Sequence, residues 1–135
     1  MKNKKILIVG ERFAKDIKTA IPFKNGQSAR RVRNWFNKNT YEDMIKVADI
    51  INAIPKYSDY DTMMNYIKIR DYSIIFLLGR IAQRVLFSNL KKDITTITHN
   101  DRIFVLLPHP SGRNFSCNHK DKKIKKFVER ILNES

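Results

Sequence analysis

Cysteine is almost missing from this chain: Cys117 is the only one in 135 residues. A lone thiol excludes an internal disulfide framework, a four-cysteine zinc site and a cysteine-ligated iron–sulfur cluster within one chain. Long apolar runs are missing too. Ile6-Leu7-Ile8-Val9 stops at Gly10, too short for a signal-peptide core, and no stretch approaches the length of a membrane span. A reducing cytoplasm is the expected setting, with no membrane partner. Internal repeats and low-complexity linkers are also absent, so residues 1–135 read as a single domain, long enough to bury an ordinary core.

Acidic residues are scarce. Asp and Glu number 13 against 27 Lys and Arg, a formal net charge of +14. An excess of this size creates a field that favours a polyanion, either nucleic acid or an anionic membrane surface, with nucleic acid ahead. A lysine-rich bias from an AT-rich genome would also account for it, and for the many Asn and Ile residues.

What is present is an alternation of apolar strands and amphipathic helices. Lys5–Val9, Ala48–Asn52, Ser73–Leu78 and Arg102–Leu107 read as buried strands, most of them near-continuous runs of β-branched and large residues, as strands covered on both faces require. Ser28 is placed to cap a helix burying Ala29, Val32, Trp35 and Phe36. Tyr60, Met63, Met64 and Ile67 recur at helical spacing, as do Ile81, Ala82, Val85 and Leu86, and then Ile124, Phe127, Val128, Ile131 and Leu132. The expectation is an α/β fold in three α/β/α layers around a mostly parallel four-stranded sheet.

Glycine is rare as well, and three of its four positions are informative. Gly10 ends the first strand, Gly79 the third, and Gly112 lies in the loop after the fourth. The second strand ends at Asn52. In an open parallel sheet the ligand crevice lies at the carboxyl ends of the strands, so these residues converge on one edge. No G-x-G-x-x-G or G-x-x-x-x-G-K-[ST] pattern supports dinucleotide or P-loop binding. His99 and His119 read as solvated loop residues. His109 differs: "LLPHPSGRNF" clamps it between Pro108 and Pro110, which fix their own φ and push the residues before them to extended conformations. Such a histidine is either aimed at a ligand or holds the loop by donating to a backbone carbonyl.

The chain resembles the uracil-DNA glycosylase superfamily in five segments taken in order. "ILIVGERFAKD" resembles the strand and loop of the G-E-x-P-G type. "IPFKNGQSARRV" resembles the segment whose Phe stacks on a flipped base, here Phe23. "DIINAIPKYSD" resembles the strand end whose Asn reads the pyrimidine edge, here Asn52. "IIFLLGRIAQRVL" resembles L-G-x-x-A-x-x-x-L, and "LLPHPSGRNF" the H-P-S-G-x-N loop that enters the minor groove. The resemblance implies a glycosylase that removes uracil or a modified pyrimidine from DNA. The branches whose Phe and Asn motifs fit best carry an iron–sulfur cluster, which the lone cysteine excludes here, and no cofactor is expected. An enzyme of this kind holds the extruded base between an aromatic face and an edge reader. The Asn52 amide, a donor and an acceptor together, fits N3–H and O4 of a uracil-like base. His109 is given the role of donor to the pyrimidine O2.

Gly10 and Arg12 would complete the base pocket. Ser28, Ser111 and the backbone around Gly112 would grip phosphates, and Arg113, with Asn114 beside it, stands where the superfamily places its wedge. Arg80, Arg30, Arg31, Arg33 and the Lys120–Lys126 run would add salt-dependent affinity for DNA, though each taken singly also reads, and more readily, as a merely solvated charge. The first loop departs from the pattern: it has no Pro, and Arg12 or Phe13 occupies the water-positioning place. Glu11 is then the nearest carboxylate for orienting water, and Asp16 the second candidate. Two other functions stay open, a non-catalytic DNA-binding relative and an unrelated α/β protein that binds or hydrolyses nucleotides. A monomer is the default expectation.

Overall fold

The computed structural model describes residues 4–12, 22–24, 26–111 and 115–134. Among the described residues ten elements follow one another: β1 (Ile6–Arg12), α1 (Gln27–Trp35), α2 (Tyr41–Val47), β2 (Ala48–Ile54), α3 (Tyr60–Arg70), β3 (Ile74–Leu78), α4 (Arg80–Leu86), β4 (Thr95–His99), β5 (Arg102–Leu107) and α5 (Phe115–Glu134). Among the described residues no helix is long and apolar enough to cross a membrane.

The sheet has five strands in the order β2-β1-β3-β5-β4, one more than the four-stranded expectation. β1, β2, β3 and β5 run parallel, while β4 pairs antiparallel with β5 at the edge. The missed strand, TTITH, is a half-exposed alternation. Asn100 and Asp101 join it to β5 with φ of 51° and 61°, two successive left-handed residues, as a two-residue hairpin turn requires. His99 therefore lies in a strand, 2.7 Å from the Tyr60 hydroxyl, and is not a loop residue. His119 falls within the span of α5.

Alternation along the strands sends side chains into two cores. Ile8, Phe76, Leu78, Val105 and Leu107 pack with Val32, Trp35, Met44, Ile124 and Val128 from α1, α2 and α5. Leu7, Val9, Ile75, Leu77, Phe104 and Leu106 pack with Met63, Met64, Ile67 and Ala82 from α3 and α4. This is the three-layer α/β/α sandwich.

The caps differ in part from the expectation. Asp59 accepts from Thr62 N at 3.0 Å at the start of α3, and Thr40 caps α2 by accepting from Asp43 N at 3.1 Å. Ser28 does not cap α1: Gly26 holds that position with φ 96°, and Ser28 lies inside the first turn. A glycine adopts this backbone without strain, which moves the helix start upstream of the serine.

β1 and β3 are neighbours, and the chain leaves β1 towards the face covered by α1 and β3 towards the face covered by α4. This is a topological switch point, where an open α/β sheet leaves a crevice beyond the carboxyl ends of its strands.

Candidate active site

Gly10 and Glu11 lie in the last paired stretch of β1, which runs on to Arg12 instead of ending at Gly10. Asn52 stands near the end of β2, Gly79 follows β3, and His109 follows β5 by two residues. The expected convergence on one sheet edge is what the fold produces.

The His109 ring is fixed locally. Its Nδ1 accepts a hydrogen bond from the backbone N–H of Ser111 at 3.0 Å. Pro110 supplies a preset φ between them and has no N–H of its own to compete. A nitrogen that accepts from an amide carries no proton, so the neutral ring carries its hydrogen on Nε2. The structural alternative, donation to a backbone carbonyl, is thus not how Nδ1 is used. Nε2 lies 3.4 Å from Glu11 Oε1.

Glu11 is held from its other side. Its Oε2 accepts from Ile81 N in the first turn of α4 at 3.0 Å. The side chains of Glu11 and His109 are 19% and 32% exposed, shielded enough to act with limited competition from water yet open to a ligand. They line a cavity of about 320 Å³ together with Gly79, Arg80, Gln83 and Asp93.

A second group gathers about Gly10. A Cβ there would come within 2.6 Å of Phe23 and 2.7 Å of Asn52 Oδ1, so a glycine is what lets the ring and the amide meet over the strand end. Gly10 is the register partner of Asn52. Phe23 has φ 56°, a left-handed conformation that costs a bulky residue of order 1–3 kcal/mol and that clusters at functional sites.

The remaining expected site residues divide. Arg80 stands on the cavity rim, but its guanidinium reaches Asp93 at 3.2 Å and Gln83 Oε1 at 3.4 Å. Ser111 is in place, yet its N–H is engaged by His109 and its carbonyl by Arg31 Nη1 at 3.2 Å. Its backbone amide is therefore not offered to a phosphate. Arg31 likewise bonds within the protein, with its side chain 14% exposed. Ser28 lies on α1, half-buried. Arg12 ends β1 with its side chain outside the described residues, and Asp16, Gly112, Arg113 and Asn114 lie outside them altogether.

Sequence reasoning missed two residues of the cavity. Gln83 is 1% exposed and donates from Nε2 to the carbonyls of Leu77 at 3.2 Å and Leu107 at 2.9 Å. It ties together the carboxyl ends of β3 and β5, beneath the His109 loop. Nothing in the helical spacing marks it. Asp93 accepts from Arg80 and, at 3.1 Å, from Lys120 of α5; one acid among so many lysines was the available signal.

The family model of the uracil DNA glycosylase superfamily matches residues 1–133. The chain belongs to this superfamily. No curated protein matches the chain. Superfamily membership supports a DNA glycosylase-type hydrolase function in DNA repair and implies DNA as a partner. Four of the five segments that carried the resemblance supply strand ends here, with Gly10 and Glu11, Asn52, Gly79, and His109 between its prolines, while the fifth holds Phe23 ahead of α1.

Proposed function

We propose that this protein hydrolyses the N-glycosidic bond of uracil or a modified pyrimidine flipped out of DNA, as a monofunctional glycosylase. The observation that carries the reading is the relation of His109 to Glu11. A donor whose tautomer is set by the backbone faces a carboxylate at 3.4 Å inside a cavity at the switch point of the sheet.

In this reading Phe23 stacks on the extruded base and Asn52 reads its N3–H and O4. The bond between C1′ and the base nitrogen breaks with both electrons leaving on the pyrimidine, and negative charge develops at O2. The His109 Nε2–H donates to that oxygen; one preorganised donor of this kind is worth about 3–4 kcal/mol in a dry site. The sugar is left as an oxocarbenium ion. Glu11 stabilises it electrostatically and orients the water that adds to C1′, taking up the proton that the water releases. Asp16 is the second candidate for that role. The products are the free base and an abasic site.

The test is a single-turnover assay on labelled oligonucleotides carrying uracil in single strands, opposite A and opposite G, and 5-hydroxymethyluracil, with hot alkali to reveal abasic sites. The expected result is alkali-labile product that falls about 10²–10³-fold in His109→Ala. Absence of product on every substrate, with salt-sensitive DNA binding that survives the substitution, would overturn catalysis. It would leave the non-catalytic DNA-binding reading, which an arginine, Arg12, next to Glu11 at the end of β1 favours.

A further inference from the structure

Two prolines fix φ on both sides of His109, but they do not orient the Ser111 amide on which the ring's tautomer depends. That orientation has a source outside the loop. Arg31, on α1, donates from Nη1 to the Ser111 carbonyl at 3.2 Å, while its Nε lies 3.4 Å from Asp121 Oδ2 on α5. The other Asp121 oxygen accepts from the indole N–H of Trp35 at 2.9 Å, and Trp35 is fully buried. Ser111 is thus held at both of its backbone groups, the amide by His109 and the carbonyl by a guanidinium anchored to the core.

We propose that Arg31 is a positioning residue that, through the Ser111 backbone and with Asp121 as its anchor, fixes the Nε2–H tautomer and the aim of His109. The side chain is only 14% exposed, so its charge is directed into the protein. A planar guanidinium emits its N–H bonds in fixed directions. Anchoring one edge on Asp121 therefore decides where the other meets the loop. Without that tie the Ser111 N–H is free to turn away, Nδ1 loses its donor, and the ring divides between two tautomers. The effect on rate rests on the glycosylase reading; the effect on the tautomer does not.

The experiment uses full-length protein labelled with nitrogen-15 in histidine, as wild type, Arg31→Met and Asp121→Asn. Long-range proton–nitrogen spectra are recorded where the ring is neutral. The wild type should give two well-separated His109 nitrogen signals, those of one tautomer. In both variants the signals should draw together as the second tautomer is populated. Single-turnover cleavage should fall about tenfold or more, by analogy with the loss when the partner that orients a metal-binding histidine is removed. The salt dependence of DNA binding should not change.

Unchanged spectra in both variants would overturn the proposal. So would a salt slope shallower by about one in Arg31→Met with the rate at saturation intact, the mark of a residue that neutralises a phosphate. Asp121→Asn keeps an acceptor for Trp35 and makes the protein more positive, so it decides the question should Arg31→Met fail to fold. A wild type that cleaves nothing while the variants shift the tautomer would sink the glycosylase reading and sustain this one.

Discussion

Glu11 and His109 meet although their strands are not neighbours. β3 lies between β1 and β5, so the two residues hang from strands about 10 Å apart, yet Oε1 and Nε2 approach to 3.4 Å. They do so over the end of the intervening strand, where the residue is Gly79. A Cβ at that position would stand 2.6 Å from Glu11 Oε2 and 3.1 Å from His109 Cβ. The pair depends on the bare backbone of a glycine.

Gly79→Ala should therefore be more harmful than backbone strain alone explains. Gly79 has φ 91° and Gly26 has φ 96°, but nothing lies within 4 Å of a Cβ at Gly26. Gly26→Ala should lose about 1–3 kcal/mol from strain. Gly79→Ala should lose at least about 1 kcal/mol more, from overpacking, and should part Glu11 from His109. Urea unfolding of the two variants measures the difference; equal losses would show that the crowding relaxes freely.

Gln83→Leu, close in volume, should cost about 1–3 kcal/mol, because it withdraws a buried donor from the Leu77 and Leu107 carbonyls. The strand ends under the His109 loop should loosen with it. Faster amide exchange at Gly79, whose N–H bonds to Leu107 O at 2.9 Å, is the local readout. Exchange as slow as in the wild type would mean that the ladder holds unaided.

The stability of the fold should fall with rising pH on the alkaline side. Burial, helped by a hydrogen bond to Asp49, raises the Tyr72 pKa above its ordinary value of 10.0. Above that pH the unfolded tyrosine loses its proton while the folded one keeps it. The contribution is thus whole below pH 10.0 and is lost as the pH rises towards the folded value. Tyr72→Phe should cost about 1–2 kcal/mol at neutral pH, since Asp49 is half-exposed and water can replace the lost donor. Its stability should also decline less above pH 10.0. Parallel wild-type and variant curves in that range would refute the assignment.

The basic face of α5 should be read by salt. Lys122, Lys123, Lys126 and Arg130 line a groove of about 560 Å³ with Phe127. Converting the four cations to Gln should make the slope of log affinity for DNA against log salt shallower, by about 0.9 for each duplex phosphate no longer neutralised. An unchanged slope would remove this face from the DNA-binding surface.

The sequence by itself determined the layered architecture and the edge at which its chemistry collects. Continuous apolar runs made the parallel strands readable, helical spacing marked most of the covering helices, and two prolines pointed to His109. Such signals are local: each depends on neighbours along the chain and on whether a segment is buried on one face or two. β4 escaped because an edge strand is half-exposed and its turn is Asn-Asp without a glycine. α2 escaped because it buries only Met44 fully. Ser28 reads as a cap because the glycine before it signals a turn equally well.

Tertiary structure alone decided who meets whom. Gly79 lets Glu11 and His109 touch across β3, and Gly10 lets Phe23 and Asn52 gather beside them. Arg31 is one cation among 27 in the sequence, and only the packing of α1 against α5 turns it towards Ser111. Partners so far apart along the chain leave no spacing to read, because their distances are set by strand order and helix packing.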